Sequence, residues 1–223
     1  MRVEWHGQSA FTLTGELHRV FVDPYFTDPT PLRERGMQWD YPAIDVDGVD
    51  LLLVTHEHGD HNAVESIPGD PHLLRSTAGT HASPVGEVVG IASEHDPAAG
   101  TEHGPNTMFV FELDGLRVAH LGDLGQAELR PEQVAALGRP DLLFVPVGGG
   151  PTIGGIQAVQ IAGELGATWV VPMHYRTRRI GFLDTEEEFV GAMPQVERLD
   201  GPAFETGDLE RSETQTAVVP AAP

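Results

Sequence analysis

The chain has 223 residues, 40% of them hydrophobic, enough for one domain with a full core but without an apolar run near the ~20 residues that a membrane span needs. Its 34 acidic residues against 13 arginines give a formal charge of -21, which argues against RNA or DNA as a partner and leaves a small molecule as the expected substrate. The absence of cysteine excludes disulfides and thiolate ligation, so any bound metal must sit on nitrogen and oxygen, and the expected compartment is the cytoplasm.

The N-terminus lacks the apolar stretch of a signal peptide and starts as a strand. Residues 2–5, 10–13 and 19–22 read as three short strands, separated by the turn-like pairs Gly7-Gln8 and Gly15-Glu16. The third stops at Asp23-Pro24. Residues 24–48, rich in Pro, Asp and Gly, read as a long loop of the kind that serves as a lid or pocket wall. Residues 50–54 form a continuous apolar strand, the pattern of burial on both faces. It runs into Thr55-His56-Glu57-His58-Gly59-Asp60-His61, and residues 62–67 then read as a short helix.

Further strands are expected over 73–74 and 85–92, the latter leading into Ser93-Glu94-His95-Asp96 and a loop through Gly100, His103, Gly104 and Pro105. Residues 108–113 and 116–121 form a hairpin turning on Asp114-Gly115 and ending in Gly122-Asp123. Pro131 opens a helix over 132–137, and residues 141–147 are a buried strand that meets Gly148-Gly149-Gly150. Ile156, Val159, Ile161, Ala162 and Leu165 give an amphipathic helix over 156–165. Residues 169–172 are a strand ending in Met173-His174-Tyr175, and Asp184 is placed to cap a helix over 186–192. The tail 212–223 is expected to fray, with 217–219 at most an edge strand, which leaves one α/β domain over residues 1–211. Oligomeric state is left open.

The chemistry concentrates at His56-x-His58-x-Asp60-His61. Hydrolysis at neutral pH needs a nucleophile better than free water, and two divalent ions about 3.5–4 Å apart can supply a bridging hydroxide. His56 and His58, two apart in an extended segment, point to the same side and can share one ion. Asp60 and His61, past the Gly59 bend, can face a second. The remaining ligands should come from other strand ends, where layered α/β folds gather their active sites. His95, Asp123 and His174 each follow a strand as His56 does, with His81 and His103 as competitors for the place of His95. A donor set of imidazole and carboxylate suits zinc, manganese and iron alike.

Together with Glu4-Trp5-His6-Gly7-Gln8-Ser9-Ala10-Phe11, Asp23-Pro24-Tyr25 and Gly104-Pro105-Asn106-Thr107, that motif resembles the metallo-β-lactamase-fold hydrolases. His120-Leu121-Gly122-Asp123-Leu124-Gly125, Pro146-Val147-Gly148-Gly149 and Val171-Pro172-Met173-His174-Tyr175 extend the likeness over residues 1 to about 190. The nearest branch is the one containing the L-ascorbate 6-phosphate lactonase. The resemblance implies a four-layer αββα sandwich and two divalent ions, zinc first among them. His56, His58 and His95 would bind one ion, Asp60, His61 and His174 the other, and Asp123 would bridge. Asp60 and Asp123 would orient the nucleophile and carry its proton. Relatives read Gly-His-Ser near the N-terminus where this chain has Gly7-Gln8-Ser9, so Gln8 stands in the place of that histidine.

Asn106, Tyr25, Tyr175 and Arg176 are the expected substrate contacts, with Arg178 and Arg179 extending a basic island suited to a carboxylate or phosphate. The glycine turns at 148–150 and 154–155 are candidate pocket backbone. The expected reaction is hydrolysis of a small-molecule ester, lactone or phosphodiester. A non-catalytic or redox metal protein on the same fold is the alternative, disfavoured by His58 where oxygen-reducing members carry a carboxylate. The family's nucleases carry an inserted domain for which this chain has no room.

Overall fold

Alternation along two short strands decides how the first sheet is buried. In β3 (Arg19–Val22) and β4 (Leu51–Val54), Val20, Val22, Leu51 and Leu53 face the main core, whereas Phe21 and Leu52 face a second cluster with Tyr25, Trp39, Tyr41, Ile180 and Leu183. Every residue of β4 is therefore buried, as its unbroken apolar run required. The structure is a computed structural model describing residues 1–26 and 28–223; Thr27, within the expected 24–48 loop, lies outside the described residues.

β3 and β4 belong to a six-stranded sheet together with β1 (Arg2–Gly7), β2 (Ala10–Thr14), β5 (His72–Arg75) and β13 (Ala203–Glu205), in the order β13-β1-β2-β3-β4-β5. An eight-stranded sheet packs against it to form a sandwich. Its strands are β6 (Gly79–Ser83), β7 (Gly86–Glu94), β8 (Pro105–Leu113), β9 (Leu116–His120), β10 (Leu142–Pro146), β11 (Trp169–Met173), β12 (Gln195–Arg198) and β14 (Thr216–Val219). They lie in the order β12-β14-β11-β10-β9-β8-β7-β6. The core between the sheets draws Trp5, Phe11 and Leu53 from one and Phe109, Phe144 and Val171 from the other.

Helices cover the outer face of the larger sheet. α2 (Pro131–Leu137) lies against β7, and α3 (Gly155–Leu165) turns Ala158, Ile161, Ala162 and Leu165 inward while packing on β10 and α4 (Glu187–Ala192). The corresponding layer over the smaller sheet is different from an ideal αββα stack. There α1 (Thr30–Glu34) buries no residue, and the cover is the aromatic cluster of Tyr25, Trp39 and Tyr41. The fold is thus the expected two-sheet sandwich with one full helical layer and one aromatic loop layer.

Direction matters most for the site. β3, β4 and β5 run parallel, as do β9, β10 and β11; β7 runs with β9 because both are antiparallel to β8. The C-terminal ends of β7, β9 and β11 therefore share one edge. Thr55, just past β4, joins that edge by accepting the Thr107 N–H at 2.9 Å.

Four expectations need correction. The tail does not fray: β14 lies between β11 and β12, parallel to both, with Ala217 and Val218 fully buried. The edge strand that the sequence allows over 217–219 is thus present but interior, which local sequence did not signal because its partner β12 has only one apolar residue in Gln195-Val196-Glu197-Arg198. Asp184 does not cap α4, which starts behind Glu186 without a side-chain cap; the Asp184 backbone instead pairs with Gly148 and Arg176. The helix expected over 62–67 is only a 3₁₀ turn, Val64–Ser66. Finally β6, β12 and β13 are strands where none was expected: β6 and β12 carry one apolar residue each and β13 is only three residues long, so that pairing rather than propensity makes them.

Candidate metal centre

Three histidines, His56, His95 and His174, and the carboxylate Asp123 follow β4, β7, β11 and β9 respectively, at the shared edge. The structure brings all seven expected ligands together. His56, His58 and His95 form one cluster of donor atoms, Asp60, His61 and His174 another, and His56, His61 and Asp123 a third that joins them, each with its donor atoms within 4.8 Å of one another. His81 and His103 enter none of these clusters, although the His103 ring stands 5.5 Å from that of His95.

At the middle is one oxygen. Asp123 Oδ2 lies 3.2 Å from His61 Nε2, 3.2 Å from His174 Nε2, 3.3 Å from His95 Nε2 and 3.9 Å from His56 Nε2. Asp60 Oδ2 is 3.6 Å from His61 Nε2 on the more open side, its side chain one-quarter exposed.

Hydrogen bonding behind these atoms sets which nitrogens carry lone pairs. Asp23 is fully buried, and its carboxylate accepts from Thr55 N at 2.8 Å, Thr55 Oγ1 at 2.8 Å and His61 Nδ1 at 2.9 Å. A carboxylate only accepts, so His61 Nδ1 carries a proton and Nε2 of the neutral ring presents a lone pair. Thr55 Oγ1 has spent its proton on Asp23 and must accept from His56 Nδ1 at 3.0 Å. His56 Nε2 is then also a lone pair facing inward. One buried carboxylate thus fixes two rings, one on each side of the centre.

The result is a convergence of lone pairs on a buried oxygen, which is repulsive unless a cation sits among them. His61 Nε2 is buried without a hydrogen-bond partner, as a nitrogen reserved for a metal would be. In the metal-free chain, protons take part of that role. Burial would depress His61, but Asp123, Asp60 and Asp23 raise it well above the ordinary imidazole range. His95 is likewise raised, Asp123 overriding its burial. His56, His58 and His174 are lowered, chiefly by burial. Asp123, which burial alone would raise, is held well below the usual carboxylate range by His174 and His61. The nitrogen and oxygen donors fit divalent ions of the zinc, manganese or iron kind.

The backbone is shaped to hold these groups. Asp123 N donates to Asn106 Oδ1 at 3.1 Å and Ser9 Oγ donates to Asp123 Oδ1 at 3.2 Å. Gly122 before it has φ +57°, and a Cβ there would collide with Asn106 Oδ1 and Thr55, so only glycine delivers the carboxylate at this angle. His174 sits at φ +51° and Asp23 at φ +53°, a left-handed conformation that costs a non-glycine residue about 1–3 kcal/mol. Glu57, inside the motif, turns outward to Arg75 and Ser76; the Arg75 guanidinium holds its carboxyl down to about 2.

The expected substrate contacts fare differently. Tyr25 is buried, its hydroxyl donating to the carbonyls of His6 and Pro42. Tyr175 is buried and stacked on Trp5, 5.3 Å between centroids. Asn106 Nδ2 donates to Ser93 Oγ and Leu121 O while its Oδ1 accepts from Asp123 N, so its hydrogen bonds are made within the protein and support Asp123. Arg176 donates its Nε–H to Leu183 O and, with Arg178, lines a groove of about 780 Å³ that none of the seven donors lines. Gly148 lies where a Cβ would strike the His174 carbonyl, and Gly154 precedes α3, so the glycine turns serve close packing and helix entry. A smaller cavity of about 150 Å³ does adjoin the centre, between His56, His58, Ser76, His103, Pro105 and Thr107. The carboxylate of Asp96 shapes its rim by accepting the N–H groups of Ala98, Gly100, Glu102 and His103. The roles of Asp23, Thr55 and Ser9 were not foreseen, although the strand-end rule that found Asp123 applies equally to Asp23.

Comparison with known proteins agrees with this geometry. The profile of the β-lactamase superfamily domain matches residues 2–174. A UPF0173 metal-dependent hydrolase of Korarchaeum cryptofilum is 31% identical over 195 residues, covering 79% of this chain and 84% of that one. Another from Thermoplasma acidophilum is 29% identical over 199 residues, with 79% and 84% covered. A crystal structure from Thermotoga maritima, assigned to the metallo-β-lactamase superfamily as a zinc-dependent hydrolase, superposes with a TM-score of 0.76 at 30% identity, covering 100% of this chain and 99% of that one.

Proposed function

The chain belongs to the metallo-β-lactamase superfamily and, within it, to the UPF0173 family of metal-dependent hydrolases, and from that premise we propose a two-metal hydrolase of small-molecule esters, lactones or phosphodiesters. The observation that carries the reading is Asp123 Oδ2, within 4 Å of four imidazole nitrogens, two of them held with lone pairs inward by Asp23 and Thr55. His56, His58 and His95 would hold one divalent ion, Asp60, His61 and His174 the second, and Asp123 both. Bound ions supply Lewis acidity and make water a usable nucleophile at neutral pH.

The chain's own groups do the rest. Asp60, the partly exposed carboxylate, orients the attacking water and takes its proton on the open side. Asp123, buried beneath it, stays ionised and fixes the spacing of the two clusters. The cavity of about 150 Å³ beside His56 and His58 supports a small substrate group, and the charge of -21 supports a small molecule over a polyanion. Zinc is the preferred metal, on the donor set and the Thermotoga relative, with manganese and iron as substitutes. The sequence likeness to the lactonase branch puts sugar lactones among the substrates to try first.

Metal analysis of the purified chain should give two ions per chain, and a panel of chromogenic lactones, phosphodiesters and thioesters should reveal turnover. Asp60→Asn and Asp123→Asn should each remove most of it. Unchanged turnover of a verified substrate in either variant rejects the assignment.

A further inference from the structure

The loop between β7 and β8 brings one more imidazole to the metal centre than the seven donors account for. The loop is built around a single side chain. Asp96 is buried, and its carboxylate accepts the backbone N–H groups of Ala98, Gly100, Glu102 and His103 at 2.8–3.1 Å. At the mouth of the loop His95 N donates to Gly104 O at 3.1 Å, and Gly104 N donates to Gly100 O at 3.1 Å. The backbone of His103 is thus fixed relative to His95 without any help from the His103 side chain.

That side chain is exposed and stands beside the donors. Its ring lies 5.5 Å from that of His95 and 6.5 Å from that of His58. It lines the cavity of about 150 Å³ that His56 and His58 also line. Among the described residues the one hydrogen bond of His103 is that of its backbone to Asp96, and its ring enters none of the donor clusters. Most other polar side chains around the cavity are already engaged. Thr55 Oγ1 bonds Asp23 and His56, Ser76 Oγ donates to Glu57 Oε1, and Glu57 also accepts from Arg75 and Asn62. His56 and His58 belong to the candidate metal cluster. That leaves the buried Thr107 hydroxyl and the exposed His103 ring.

We propose that His103 is a substrate-binding residue of the centre, its ring N–H donating to an acceptor oxygen on the arm of the substrate that enters this cavity. This rests on the hydrolase reading above and names a substrate class for it: esters with a short, neutral arm that carries a carbonyl or ether oxygen beside the scissile bond. The arm is short because the cavity holds only about five water-sized groups at ~30 Å³ each. It is neutral because Glu57 lines the cavity and no arginine does, so a carboxylate or phosphate would meet a like charge without a matching cation. An imidazole keeps at least one N–H in either protonation state, so the contact does not depend on the charge of the ring.

The test uses the full-length, metal-loaded chain with His103→Ala and His103→Gln, and two chromogenic esters that differ in one atom. These are 4-nitrophenyl methoxyacetate, whose arm carries an ether oxygen, and 4-nitrophenyl butanoate, with a methylene in its place. Metal content and melting temperature should match wild type in both variants, since Asp96 holds the loop through backbone groups. In His103→Ala the ratio of kcat/KM for the methoxyacetate to that for the butanoate should fall about tenfold, the loss of one substrate hydrogen bond. His103→Gln, which keeps an N–H donor, should recover part of that ratio. An unchanged ratio in His103→Ala, no recovery in His103→Gln, or loss of a bound ion in either variant overturns this inference and leaves the hydrolase reading standing. The same holds if wild type turns over other panel substrates but neither ester. If wild type turns over nothing on the panel, both fall.

Discussion

Asp23→Asn is the sharpest test of how the centre is held, because the substitution is nearly isosteric and its consequence can be worked atom by atom. The carboxylate accepts three hydrogen bonds, from Thr55 N, Thr55 Oγ1 and His61 Nδ1, all 2.8–2.9 Å and all buried. An amide offers one oxygen. If that oxygen keeps Thr55 N, the new NH₂ faces both the Thr55 hydroxyl and His61 Nδ1–H; the hydroxyl proton loses its acceptor, and His61 must move its proton to Nε2, the nitrogen proposed for the metal. If the amide turns over, Thr55 N–H loses its acceptor instead. Either way one buried donor is stranded, at about 1–3 kcal/mol. Losing such an orienting partner weakens metal binding about 10–100-fold, or roughly 1.4–2.7 kcal/mol. Competitive titration with a chelating dye should show that loss, and the metal-free variant should melt about 2–12 °C lower, at about 2–4 °C per kcal/mol for a chain of this length. Wild-type affinity and stoichiometry for both ions would refute the tautomer argument, whatever happened to stability.

Other consequences are equally direct. Asn106→Ala should lower metal affinity about tenfold while leaving KM for a substrate unchanged, since the side chain holds Asp123 N and Leu121 O; a raised KM with full metal occupancy would restore the substrate-contact role. Val218→Asp puts an unpaired charge in the interior of the eight-stranded sheet and should cost at least about 3 kcal/mol in urea unfolding; a frayed tail would leave the midpoint where it was. Tyr41 titrates at about 12 in the folded chain, burial outweighing its hydrogen bond to Thr177, against 10 when exposed. Because the folded value is the higher, its contribution to stability is complete below pH 10 and is lost as pH rises through about 12, at up to about 1.4 kcal/mol per pH unit. Urea unfolding between pH 9 and about 11.5 should therefore steepen in wild type relative to Tyr41→Phe; equal slopes would dismiss the burial argument.

The residues that gather at the candidate metal centre were legible in the sequence because each obeys a local rule. His56, His95, Asp123 and His174 all follow strands whose apolar patterns are visible in isolation, and His56 to His61 are near enough in sequence for geometry to be read from spacing. The surroundings of Tyr25, Tyr175, Asn106 and Arg176 were not legible, because chemical type and adjacency in sequence do not say which polar atoms are already paired. Whether a polar atom is free depends on what else it meets. Tyr25 meets two carbonyls and Asn106 meets Ser93, Leu121 and Asp123, partners 13 to 17 residues away in the second case.

By itself, then, the sequence determined the two-faced burial of β4, the strand ends on which the donors sit and the nitrogen–oxygen character of the site, since periodicity and composition are properties of neighbouring residues. Only the tertiary structure decided that β14 is an interior strand, that an aromatic loop replaces a helix layer over the smaller sheet, and that Asp23 orients rings on both sides of the centre. Each of those depends on segments far apart in the chain meeting in space. A hydrogen-bond acceptor, unlike an apolar stripe, leaves no trace in the sequence of which donor will reach it.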